Sequence, residues 1–191
     1  MNISNNRVID IMHTRRSIAK LDLPMPTEEE LNTALTAAMT APDHKRLRPW
    51  RFIVLRDDAL VDFGQVLLRA EQAATDGSLS DAACQKLLNM PLRAPMIITL
   101  IAQIKEHEKV PSFEQLLSMG AAAQNLLLSL ESMGYRTVWR TGKLCNAPEV
   151  KAYFRTADQD IICGFVYVGS SNIQMPCRDV LDLSEFVEYR Y

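Results

Sequence analysis

Two adjacent guanidiniums and a hydroxyl stand within one turn of chain at residues 14–17, TRRS. Arg15, Arg16 and Ser17 offer many donors in a small volume, which suits a phosphate monoester because arginine grips its oxygens through a two-pronged fork. As a plain helix end, the same pair would complement the macrodipole. A second cationic group, His44, Lys45, Arg46, Arg48 and Arg51, crowds the stretch APDHKRLRPWRFIVLRDD, residues 41–58. Trp50 sits among these cations, a mixture that could contact phosphates and stack a base. The bland alternative is a solvated loop with Trp50 packed on the core. The third group is TVWRTGKL, residues 137–144. There Trp139, Arg140 and Thr141 supply an aromatic wall, a cation and a tight turn with free amides, either for the polar edge of a planar heterocycle or merely as a strand end.

Other chemistries lack their signatures. The chain has no G-x-G-x-x-G or G-x-x-x-x-G-K-[ST] phosphate loop, no G-x-S-x-G nucleophile elbow and no H-E-x-x-H zinc helix. Cys84, Cys145, Cys163 and Cys177 are widely spaced, with no metal-ligand grouping, and read as free thiols of a reducing compartment. No spacing argues for acid–base work by His13, His44 or His107, and His13 and His107 read as surface or packing residues. A net charge of −2 gives no general attraction to nucleic acid or anionic membrane, so anion binding must be local. No signal-peptide pattern opens the chain, and no apolar run approaches the ~18 residues of a membrane span. The expectation is a cytoplasmic protein.

The elements that must position these groups follow from periodicity. At 191 residues the chain reads as one domain. Residues 4–14 carry a weak helical pattern running into TRRS. Thr27 and Glu30 form a capping box opening a helix that Pro42 stops. Residues 51–56 read as a strand, VDFGQVLLRAEQAA and SDAACQKLLNM as amphipathic helices. Residues 94–102 and 160–169 are uninterrupted apolar runs, hence strands with helices over both faces. The segment SFEQLLSMGAAAQNLLLSLESMG reads as a long helix with Ser112 and Gln115 as its capping pair and Gly134 beyond its end. It is apolar nearly all round and should be buried on almost every side, in a core or across a subunit contact. Residues from about 170 to 191 lack a helical period and read as an extended arm.

The order of these pieces matters more than any one of them. TRRS, a capped helix ending in APDHK, then PW before a strand, an RAPMIIT strand, a KVP turn into a long Ala-rich helix, WRTG and a late GFVYVG strand together resemble the FMN-dependent nitroreductase family, closest to its small YdjA-like branch. The likeness runs from about Ile11 to about Gly169.

That resemblance implies an α+β fold, a central mostly antiparallel sheet flanked by helices in an intertwined homodimer, with one domain over residues 1–191 and the arm reaching over the partner. It implies FMN at the subunit interface, held by Arg15, Arg16, Ser17, Trp139, Arg140 and Thr141, with Thr40 and His44 given across the dimer. Ser129, Leu130, Glu131, Ser132, Met133 and Gly134 match the stretch assigned to the nicotinamide nucleotide. No protein residue is catalytic and no metal is expected, because hydride would pass from NADH or NADPH through the flavin to a small-molecule acceptor such as a nitroaromatic or quinone. Thr40 departs from the branch, where a basic residue is common, and Lys143 stands where a small neutral residue is expected. Three rivals stay open at this point: a related flavin dehalogenase or enone reductase, a non-catalytic flavin sensor, and a nucleic-acid-binding module.

Overall fold

The computed structural model describes residues 7–176, 179 and 181–191. Four strands make one sheet: β1 (Trp50–Arg56), β2 (Met96–Ala102), β3 (Arg136–Arg140) and β4 (Ile161–Gly169). They lie side by side in the order β1-β2-β4-β3, and every neighbouring pair is antiparallel. Successive side chains on a strand point to opposite faces, so a strand covered on both sides can carry no polar alternation. β2 meets that condition, and all of its residues are buried.

One face of the sheet is covered by α3 (Asp58–Ala74), α4 (Asp81–Leu88) and α6 (Pro148–Tyr153), packed on Ile97, Ile101, Phe165 and Tyr167. The other is covered by α2 (Glu28–Ala38) and α5 (Ser112–Ser132), packed on Met96, Ile98, Leu100, Val166 and Val168. Each such aliphatic side chain contributes roughly 1.5–3 kcal/mol on leaving water. Under α3, the Phe63 ring lies 5.0 Å from Phe165 and 5.3 Å from Phe154, centroid to centroid, which ties α6 to the sheet.

The helix ends show which local signals hold. Thr27 caps α2 through the expected box, its side chain taking the Glu30 N–H while the Glu30 carboxylate takes the Thr27 N–H. The preceding helix, α1 (Arg7–Thr14), runs into TRRS as expected, and residues 4–6 of that expectation lie outside the described ones. The expected capping pair of α5 is corrected. Pro111, not Ser112, precedes its first turn, and Gln115 is buried with its amide bonded to the backbone of Lys105 and Val110. At the far end Gly134, at φ +91°, donates to Glu131 O and Tyr135 N donates to Leu130 O, the paired bonds of a glycine-closed helix terminus.

All-round burial of α5 is corrected too. Its inner side is in the core, but Phe113 is 59% and Leu117 66% exposed, one turn apart on the outer side. Beyond β4 the described residues of the arm are irregular apart from one 3₁₀ turn, Leu183–Glu185, and leave Leu181, Phe186 and Tyr189 open to solvent. Cys84, Cys145 and Cys163 are free thiols, while Cys177 falls outside the described residues. No helix among the described residues is long and apolar enough to cross a membrane.

Candidate functional site

The TRRS segment leaves α1 and runs along the outer edge of β3. Ser17 bridges Thr137 in parallel, and Ile18 N donates to Thr137 O at 3.0 Å. Arg16 folds over the end of α1, its Nη1 donating to His13 O at 2.7 Å and to Arg15 O at 3.0 Å. It lines a cavity of about 600 Å³ together with Thr14, Glu131 and Arg136. The Glu131 side chain is only 8% exposed, and Arg136 donates to its Oε1 at 2.6 Å. Its Oε2 is buried with no partner among the described residues. Burial pushes the Glu131 carboxyl above the usual range, and the positive charges of Arg136, Arg15 and Arg16 pull it back. Two arginines, Arg16 and Arg136, and one unpartnered acceptor oxygen therefore share this cavity wall, with the charge of Arg15 felt nearby.

A second cavity, of about 650 Å³, opens at the other end of β3, between that strand and α3 and α4. Its shape begins with a bulge in β4. The register with β2 slips between Leu100, opposite Gly164, and Ile101, opposite Ile162, so Cys163 has no partner on β2. The free Cys163 carbonyl accepts the Trp139 indole N–H at 3.0 Å, which fixes the indole at the cavity wall. Gly164 makes this possible: it sits at φ +125°, and a Cβ there would lie 2.6 Å from both Arg140 O and Trp139 Nε1.

Arg140 lays its guanidinium 5.6 Å from the Tyr167 ring centroid, within reach of a cation–π attraction. Its Nε is buried with no acceptor among the described residues. Burial raises the Tyr167 phenol, with the Arg140 charge opposing, and burial likewise raises the Cys145 thiol. Both stay protonated at neutral pH, so Cys145 offers no thiolate nucleophile here. Lys86 and Arg93 also line the space, and Lys143 at its edge pairs with Glu71 at 2.5 Å. The cavity is apolar in body and cationic at the rim.

Thr40 and His44 are not brought to either cavity. Thr40 Oγ1 donates to Ala37 O and finishes α2. His44 Nδ1 lies 2.8 Å from Glu114 Oε2 in the first turn of α5, whereas Glu131 lies in its last. At ~1.5 Å per residue those ends are about 25 Å apart.

The loop that carries His44 is strained and firmly held. Lys45, Arg46 and Arg48 have φ of 62°, 55° and 49°, a left-handed conformation costing a non-glycine residue roughly 1 kcal/mol or more each. Asp43 braces it by accepting Leu47 N at 3.1 Å and Arg48 N at 2.7 Å. Ser118 of α5 donates to Pro42 O at 2.6 Å and itself accepts from the Trp50 indole at 3.1 Å. Arg51 turns away and donates to Arg155 O.

Residues 129–134 form the last turn of α5 and its glycine exit. The negative end of a helix dipole and the Glu131 carboxylate lie at this turn, and Arg136 balances the carboxylate. Sequence reasoning passed over Arg136, Arg93, Glu71 and Tyr167. Arg136 alone left a trace, being the other charged residue on the strand that carries Trp139 and Arg140.

The nitroreductase family profile matches residues 12–170, and the chain is a member of that family. It is 37% identical over 182 residues to YdjA of Escherichia coli K12, provisionally named an NAD(P)H nitroreductase, covering 95% of this chain and 98% of that one. Among solved structures it is similar to a nitroreductase-like protein of Bacillus cereus, with a TM-score of 0.81 at 19% identity over 96% of this chain and 95% of the other. It is also similar to a Bacteroides fragilis nitroreductase solved with bound FMN, with a TM-score of 0.73 at 18% identity over 97% and 100%.

Proposed function

We propose that the protein is a homodimeric FMN-dependent oxidoreductase that takes hydride from NADH or NADPH and delivers electrons to a small acceptor such as a nitroaromatic or quinone. The observation that carries this reading is the placing of two separate cavities at the two ends of one strand, β3, with Arg136 lining one and Trp139 and Arg140 the other. Four residues of strand span about 13 Å, and a phosphate joined by a ribityl chain to a three-ring system is a ligand of that extended kind.

The unpartnered atoms fit the group. Among the described residues Arg140 Nε is a donor without an acceptor, and Glu131 Oε2 an acceptor without a donor; a flavin offers ring carbonyls and ribityl hydroxyls in return. Arg15, Arg16 and Ser17 would hold the phosphate and ribityl chain, and Trp139, Arg140 and Thr141 the isoalloxazine. When bound, FMN supplies the two-electron chemistry. The chain's part is to bind, to place a positive charge beside the ring edge where negative charge develops, and to keep the ring against an apolar wall. Residues 129–134 are proposed as a contact of the nicotinamide nucleotide.

The dimer is supported by two features. Phe113 and Leu117 leave an apolar outer stripe on α5. The distance of His44 from the arginine cavity means that Thr40 and His44 would meet the same flavin only if they came from the partner subunit, with the arm of residues 170–191 crossing the same boundary. The test is the visible spectrum of the purified protein before and after anaerobic NADH or NADPH. A flavin spectrum that bleaches is expected, and a colourless protein that takes up no added FMN overturns the reading.

A further inference from the structure

Resting on that oxidoreductase reading, we infer that the loop at residues 44–48 is a seat for the phosphate monoester that distinguishes NADPH from NADH. The loop exposes Lys45, Arg46 and Arg48 within four residues, and none of the three side chains has a partner among the described residues. The carboxylates that could neutralise them are engaged. Asp43 spends both oxygens on the backbone N–H groups of Leu47 and Arg48, and Glu114 is taken by His44. On a chain of net charge −2, this is a local surplus of positive charge.

The loop is also held in place before any ligand arrives. Asp43 fixes it from within, Lys105 Nζ donates to Leu47 O at 2.5 Å, and Ser118 anchors Pro42. Left-handed backbone at three bulky cationic residues persists only where the surroundings over-determine it, and such places are where ligand clamps are found.

The ligand's chemistry follows from the charge. A phosphate monoester carries about −1.5 to −2 at pH 7 and three strong acceptor oxygens, which two guanidiniums and an ammonium match, whereas each phosphate of a pyrophosphate bridge carries a single charge. The flavin phosphate is already provided for at Arg15 and Arg16. Lys45 follows directly on His44, so in a dimer that brings His44 of the partner subunit to the flavin, these cations rim the same cleft.

The test uses the FMN-loaded protein and the variant Arg46→Asn/Arg48→Asn, because asparagine tolerates left-handed backbone while removing the charge. The ratio of kcat/KM for NADPH to that for NADH is expected to fall roughly tenfold or more at low salt. Adenosine 2′,5′-bisphosphate should compete with NADPH in the parent protein, and less well as salt is raised. A thermal melt matching the parent's separates loss of charge from loss of fold; Arg46→Lys/Arg48→Lys, which keeps the charge, should recover most of the ratio. An unchanged ratio in the asparagine variant, or an equal loss with both nucleotides, overturns the inference while leaving flavin reduction intact. A flavin that neither nucleotide bleaches overturns the oxidoreductase reading, and this inference with it.

Discussion

Arg136 donates to Glu131 across 2.6 Å at the point where α5 ends and β3 begins, and the second oxygen of that buried carboxylate has no partner among the described residues. The pair is five residues apart in sequence yet joins the helix to the sheet edge along which TRRS runs. Removing the cation while leaving the acid is the damaging change. Arg136→Met is expected to destabilise the protein by roughly 1–3 kcal/mol, read as a lowered denaturant midpoint, because a buried carboxylate loses its counter-charge.

Glu131 also sets a pH dependence. Its carboxyl is raised in the fold above the ordinary 4.5, so the folded state holds the proton more tightly than the unfolded state. Stability contributed by the protonated form is therefore lost as pH rises from that value through the raised one. Glu131→Gln should flatten this decline. Denaturant melts from about pH 4 to pH 7 check it, and parallel curves for parent and variant would contradict it.

Glu30 is expected to behave in the opposite sense. The Thr27 backbone bond, then bonds from Tyr135 and the Thr27 side chain, hold its carboxyl below the usual range. Its contribution is full above the unfolded value and is lost as pH falls through the folded one. Thr27→Ala should cost about 1 kcal/mol at neutral pH, and the gap to the parent should narrow in acid melts.

Gly164→Ala should disturb the second cavity without touching any charged group. Its Cβ would meet Arg140 O and the Trp139 indole nitrogen at 2.6 Å in a backbone region that L residues avoid. A loss of about 2 kcal/mol or more is expected, with a shifted tryptophan fluorescence as the indole is driven off Cys163 O.

Arg16→Ala should weaken FMN retention through dialysis while leaving the fold intact, since among the described residues Arg16 bonds only to neighbouring carbonyls of its own turn. Retention equal to the parent's would remove the phosphate role from TRRS.

What could be read from the sequence was what the chain decides locally. The Thr27 box, the glycine exit at Gly134 and the unbroken apolar runs of β2 and β4 each depend on residues within a few positions, and the structure keeps all of them. The Ser112–Gln115 pairing failed because Gln115 is claimed by the backbone of residues 105–110, a contact that no local pattern records. The site divides in the same way. TRRS and WRT stood out by composition, but the rest of their surroundings did not. Glu71 meets Lys143 across 72 residues, and Tyr167 meets Arg140 across two strands. The bulge that frees the Cys163 carbonyl is a property of pairing, invisible until β2 and β4 are laid together.

β2 is bonded to a strand on either side and sealed above and below by helices. Its amide protons can reach solvent only when the whole domain opens, so their exchange with deuterium reports the global unfolding free energy. Amides of the exposed residues 181–191 exchange on a far shorter clock, and the interval between the two measures how much of the molecule's cohesion resides in one central strand.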